Sequence, residues 1–267
     1  MKSQVLSWIA GLLLSAAFGA SGETPGTVFL DELTWTELRS QISAGKTTII
    51  VPIGGTEQNG PHMVLGKHNV RVNALSEKIA RALGNALVAP VIAYVPEGSV
   101  NPPSAHMRFP GTITVPTVTF EQVLESAARS FKAHGFRDVV FLGDHSSYQS
   151  SEKAVADRLD REWRATPVPA HAVPEYYQAA EASFPRQLRS RGYSDAEIGT
   201  HAGLADTSLA LAIDPRLIRT DQLASKPDAA AGVHGDPRRA SAELGQIGVD
   251  AIVAQTVAAI NNATARR

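Results

Sequence analysis

The stretch Thr119–His145, TFEQVLESAARSFKAHGFRDVVFLGDH, holds one complete structural unit and decides the fold class. Thr119 can cap a helix, with Gln122 completing a capping box. Phe120, Val123, Leu124, Ala127, Ala128 and Phe131 then recur at helical spacing and mark one apolar face. Gly135 ends the helix where a left-handed residue is wanted. Val139-Val140-Phe141-Leu142 is a short apolar run with β-branched residues, which reads as a buried strand. It leads straight into Gly143-Asp144-His145. Reactive side chains thus stand just past the carboxyl end of a strand, where open α/β sheets hold their ligands.

The same alternation extends on both sides. Thr34-Trp35-Thr36-Glu37 is a capping box opening a helix to about Ala44, and Thr47–Ile53 reads as a buried strand ending in Gly54-Gly55. A helix is expected from about Val70 to Leu83 and a strand over Ala86–Ala93, followed by a Pro/Gly/Ser/Asn-rich loop, Pro96–Gly111, that carries His106. The pattern weakens over Pro167–Gly199, an excursion with helical pieces, before helices over Thr207–Ile213 and Ala240–Ala259. With 267 residues, 43% hydrophobic and 19% charged, and no linker-like tract, residues 23–267 read as a single α/β domain. A formal net charge of −1 provides no bulk attraction to nucleic acid or anionic lipid. The absence of cysteine removes disulfides, thiolate ligands and cysteine nucleophiles together. Residues 1–22 have the layout of a cleaved signal peptide: Lys2, an apolar run from Val5 to Ala17, then the small residues Gly19, Ala20 and Gly22. That layout places the mature protein in the periplasm or outside the cell, with no membrane association after cleavage.

Four histidine-bearing segments carry candidate chemistry. GGTEQNGPHMVLGKHN, Gly54–Asn69, offers Glu57, His62 and His68 on a Gly/Pro-rich loop. One carboxylate and two imidazoles suit a hard-to-borderline divalent metal, although such a loop read alone equally fits a solvated surface. His145 follows a buried strand, in the position of a ligand or a general base. His201 lies five residues before Asp206, which can also cap the helix that follows. His106 is the fourth. His134 sits at a helix C-terminus, where the dipole accounts for it, and His171 and His234 read as structural.

In order along the chain, these segments resemble the creatininase (creatinine amidohydrolase) family. The family carries G-[ST]-x-E-Q-H-G-P-H-L-P-L-x-T-D, and here Gly55–His68 reads GTEQNGPHMVLGKH. A histidine before F-P-G-T corresponds to His106 before Phe109-Pro110-Gly111-Thr112. The strand-end loop G-D-H-G-G-N-Q corresponds to Gly143–Gln149, GDHSSYQ. H-A-G-E-x-E-T-S corresponds to His201–Ser208, HAGLADTS, and G-V-x-G-D-P to Gly232–Pro237. The resemblance implies a three-layer α/β/α sandwich around a mostly parallel sheet, often assembled as a homo-oligomer, including hexamers. It also implies a small-molecule substrate whose C–N bond is hydrolysed with a divalent metal pair.

The departures from the family pattern are concentrated at the metal ligands. Glu57 and His145 are kept. The histidine two residues after the glutamate is Asn59, and the aspartate eleven residues after it is His68. The two positions that can complete the second metal with a carboxylate are Ser147 and Leu204. By this alignment Glu57, His68 and His145 remain around a single ion, Zn²⁺ or alternatively Mn²⁺ or Fe²⁺. The resemblance further implies proton transfer by His201, and Asp206 is a candidate either to orient His201 or to bind metal. Asn59 is a candidate donor to the substrate oxygen, and His62, His106 and Tyr148 are candidate pocket residues. The leading reading is a metal-dependent hydrolase of an amide, lactam or similar ring. A lyase, isomerase or iron enzyme on the same scaffold, and a non-catalytic binding protein, stay open at this stage.

Overall fold

The structure, a computed structural model, describes residues 26–166, 168–223 and 228–265, so the expected signal peptide lies outside the described residues. Four strands form one parallel sheet: β1 Thr48–Ile53, β2 Ala86–Val88, β3 Asp138–Gly143 and β4 Ala170–Ala172, in the spatial order β2-β1-β3-β4. β1 and β3 pair along their whole length, from Thr48 against Asp138 to Ile53 against Gly143. Every residue of both strands is buried, as expected for central parallel strands covered on two faces.

The helices are α1 Trp35–Ser43, α2 Lys67–Leu83, α3 Thr117–Ala133, α4 Gln149–Glu162, α5 Glu175–Gln178, α6 Phe184–Arg189, α7 Asp195–Ile198, α8 Leu204–Ile213, α9 Thr220–Leu223 and α10 Ala242–Thr264. The period-2 alternation of the strands divides them into two cores. Ile50, Val88, Val140 and Leu142 face α2, α8 and α10, packing with Leu75, Ile79, Leu209, Val249 and Ile252. Ile49, Val51, Ile53, Leu87, Val139 and Phe141 face the other way, onto Phe120, Leu124 and Ala128 of α3 and Val155 and Leu159 of α4. Helices on both faces of the sheet make the three layers anticipated from the sequence.

Three local expectations change. α3 starts three residues early: the Phe120 N–H reaches the Pro116 carbonyl at 3.1 Å, which puts Thr119 inside the first turn instead of at the cap. β2 stops at Val88, because Pro90 interrupts the ladder, and only an isolated bridge between Ile53 and Ile92 continues it. The excursion after residue 167 includes β4, three residues long. The capping box of α1 is present as read, with Thr34 and Glu37 exchanging side-chain and backbone hydrogen bonds.

Candidate metal centre

The carboxyl ends of β1 and β3 lie at the point where the strand order reverses, since β2 follows β1 to one side and β3 to the other. β1 runs out through Gly54-Gly55 to Glu57, and β3 through Asp144 to His145. A cavity of about 690 Å³ opens there, lined by His68, His106, His145, His201 and Asp206 among others. A volume of that size suits a small molecule.

Glu57 is the hub. It is fully buried, with Oε2 3.2 Å from both His106 Nε2 and His145 Nε2, and Oε1 2.8 Å from His68 Nε2. Burial would raise its pKa, but the imidazoles of His145 and His68 outweigh that and hold it well below the usual carboxylate range. Glu97, 2% exposed, is the residue that sequence reading missed. It sits 3.7 Å from His145 Nδ1. Burial first, and the neighbouring Glu57 carboxylate after it, push its pKa up to about 8. A Cβ at Gly55 (φ +148°) would lie 2.8 Å from Glu97 Oε1, so only glycine there lets the second carboxylate approach.

Donor atoms of Glu57, Glu97, His106 and His145 all lie within 4.8 Å of one another. Glu57 Oε2 and both oxygens of Glu97 are buried without a hydrogen-bond partner among the described residues. Glu97, which unlike Glu57 has no imidazole at hydrogen-bond distance, is costly to ionise beside it unless a cation joins the two. The mixed oxygen and nitrogen set fits Zn²⁺ or Mn²⁺. His145 Nδ1 accepts the Ser147 backbone N–H at 3.2 Å and lies 2.9 Å from Ser147 Oγ, contacts that fix the orientation of the ring.

The other anticipated residues take different places. His68 stands beside the converging set, with both ring nitrogens engaged: Nε2 with Glu57, and Nδ1 at 2.7 Å from Asp144 Oδ2. Asp144 is held in turn by Arg71 Nε at 2.8 Å and by the Tyr176 hydroxyl at 2.7 Å. Asn59 is turned away from the cavity, its amide donating to the Glu57 and Val64 carbonyls at 2.9 and 3.1 Å, so it pins the loop and offers nothing to a substrate. His62 is also buried, 3.0 Å from Thr207 Oγ1. Tyr148 is fully buried, and its hydroxyl donates to the carbonyls of Ile53 at 3.0 Å and Gly54. Neither lines the cavity. His234, read as structural, does line it, and its backbone pairs with that of His201.

His201 does face the site. Its Nε2 is 2.9 Å from the Gln58 backbone carbonyl oxygen and 3.1 Å from the Gln58 side-chain amide nitrogen. Nδ1 lies 3.8 Å from Glu57 Oε1. Burial first, then the Lys67 charge, lower the His201 pKa to about 4, which leaves the ring neutral at physiological pH. Asp206 does not touch the ring. It accepts the Ala202 N–H at 3.0 Å and pairs with Lys67 and Arg71. The residues beside two of these histidines, Ala105 (φ +47°) and Ala202 (φ +53°), are left-handed without being glycine, a strain that accumulates at functional sites.

The family model for creatininase (creatinine amidohydrolase) matches residues 31–260. Creatinine amidohydrolase of Pseudomonas putida is 29% identical over 208 residues, covering 76% of this chain and 78% of its own. A 3-dehydro-scyllo-inosose hydrolase of Thermotoga maritima is 25% identical over 201 residues, 74% of this chain and 60% of its own. A mycofactocin precursor peptide peptidase of Mycolicibacterium smegmatis is 28% identical over 193 residues, 70% and 66% of the two chains. Among solved structures, a zinc-loaded creatininase variant described as Zn-Zn type superposes with a TM-score of 0.75 at 26% identity, covering 90% of this chain and 99% of that one. A manganese creatininase gives 0.74 at 26% identity, with 89% and 99% covered. With the fold, the strand-end site and the family model in agreement over most of its length, this chain belongs to the creatininase family of hydrolases.

Proposed function

We propose that this protein is a metal-dependent hydrolase that opens a C–N bond in an amide, lactam or similar cyclic small molecule, using one divalent metal ion. The observation that carries the reading is the convergence of donor atoms of Glu57, Glu97, His106 and His145 within 4.8 Å of one another, beside the cavity that His106 and His145 line. Those four residues would hold the ion. Bound there, a Zn²⁺ or Mn²⁺ ion supplies Lewis acidity, polarising a carbonyl and activating water.

The remaining steps fall to the chain's own groups. His201 is neutral at pH 7, so its unprotonated ring nitrogen takes a proton from the attacking water and returns it to the leaving nitrogen. Gln58, through its backbone carbonyl and its side-chain amide, holds the ring in place. Phe109 and Tyr177 on the cavity wall give apolar surface for a ring, while Arg108 offers a polar handle. The signal-like N-terminus supports an extracytoplasmic place of work. The test is turnover of a panel of cyclic ureides, lactams and linear amides by the Zn²⁺- or Mn²⁺-loaded protein, followed as the mass gain of one water. Hydrolysis of a ring substrate that disappears in Glu57→Gln is the expected result, and metal-loaded protein inert to the whole panel would overturn the reading.

A further inference from the structure

His234 is fixed opposite the proton carrier. Its backbone N–H donates to the His201 carbonyl at 2.8 Å, and its carbonyl accepts the N–H groups of Thr200 at 2.8 Å and His201 at 3.3 Å. His201 and His234 thus face each other across an antiparallel bridge. Residues paired in this way turn their side chains to the same face, with Cβ atoms about 5 Å apart. Both line the cavity. Val233, the preceding residue, is buried in a cluster with Met63, Ala202 and Leu217. Glycines bring the two segments this close. A Cβ at Gly199 (φ +69°) would lie 2.1 Å from the His234 carbonyl oxygen, and one at Gly235 (φ +151°) 2.6 Å from the Gly203 Cα. The His234 ring itself is exposed and has neither a hydrogen-bond nor an ion-pair partner among the described residues, whereas His68, His106, His145 and His201 are all engaged. In the G-V-x-G-D-P pattern, position 234 is one that the family leaves open, so this imidazole is the chain's own feature.

We propose that His234 is a substrate-binding residue whose ring hydrogen-bonds a polar group beyond the scissile nitrogen, so that the site favours rings in which that nitrogen lies between two carbonyl groups over plain lactams. The inference rests on the metal-hydrolase reading, which puts the reacting carbonyl at the Glu57 end and the leaving nitrogen at His201. The His106 and His201 rings stand 4.8 Å apart, and His234 flanks His201. A ring atom attached to the leaving nitrogen then comes within reach of His234. A neutral imidazole brings one donor and one acceptor to such a group. Its backbone is already tied down on both sides, so binding costs little further ordering. A ring without the second carbonyl forgoes that hydrogen bond.

Succinimide and 2-pyrrolidinone are five-membered rings that differ by the second carbonyl. The experiment is an NMR titration of the Zn²⁺-loaded protein with each of them, following the histidine ring signals, on the native chain, His234→Ala and His234→Gln. Because the ring is exposed and the backbone bonds do not depend on it, both variants should fold. The native chain is expected to bind succinimide about 10-fold more tightly than 2-pyrrolidinone, with the His234 signals moving. The ratio should fall to near one in His234→Ala and recover in part in His234→Gln, whose amide keeps a donor and an acceptor. An unchanged ratio in His234→Ala would overturn the inference, as would a native chain that binds the two rings equally or binds neither. The ratio needs no turnover. A preference that depends on His234 in a protein that hydrolyses nothing would therefore count against the hydrolase reading and leave His234 as a binding residue.

Discussion

Glu97→Gln separates the stability of the centre from its affinity for metal. The unfolded chain sheds the Glu97 proton near the ordinary value of 4.5, whereas the folded chain keeps it to about 8. Native stability therefore falls as pH rises between those values and is level above them. At about 1.4 kcal/mol per pH unit, the penalty at pH 7 is roughly 3 kcal/mol. Glutamine has the shape of the protonated acid and no proton to lose. Thermal melts in chelator should therefore show the variant more stable than the native chain at pH 7, by several degrees and up to about 10 °C for a domain of this size. At pH 5 the two should nearly coincide. Calorimetry should show metal affinity reduced by at least about 10–100-fold, because a ligand carboxylate is gone. In the native chain, metal uptake below pH 8 should release a proton that the variant does not release. Coincident melts at both pH values together with undiminished metal affinity would refute the pairing of Glu97 with Glu57 around a cation.

Three further outcomes follow from the same geometry. Glu57→Gln and His145→Ala should each abolish turnover and metal retention while the circular dichroism spectrum stays native, because both side chains serve the site and neither belongs to the two hydrophobic cores. His201→Ala should lower turnover by about 10²–10⁴-fold with metal content unchanged, as expected for loss of a proton carrier. Tyr148→Phe should cost about 1–3 kcal/mol in denaturant unfolding and leave turnover near native, because the hydroxyl serves the Ile53 and Gly54 carbonyls and not the cavity.

What was legible in the sequence follows from how local each signal is. β1 and β3 announce themselves as β-branched apolar runs because both their faces are buried, and the positions just past them could be read as site loops for the same reason. The α1 cap is equally local. Glu97 was not legible: it is one acid in a Pro/Gly-rich loop, and only the approach of Val95 and Glu97 to Gly55 shows that this loop folds over the site. Its one sequence signal was sharing a loop with His106. The direction of side chains on irregular backbone was also hidden. His62, Asn59 and Tyr148 lie a few residues from Glu57 or His145, yet hydrogen bonds to Thr207, Val64 and Ile53 turn them inward. β4, three residues long, is stabilised by pairing with β3 and has no periodicity of its own to read.

The most direct test of the central claim is metal content per folded chain, measured by elemental analysis of the purified protein after incubation with Zn²⁺ or Mn²⁺ and removal of excess ion. One equivalent in the native chain, lost in Glu57→Gln, is the predicted result. A native chain that emerges with no bound metal from both incubations would contradict it.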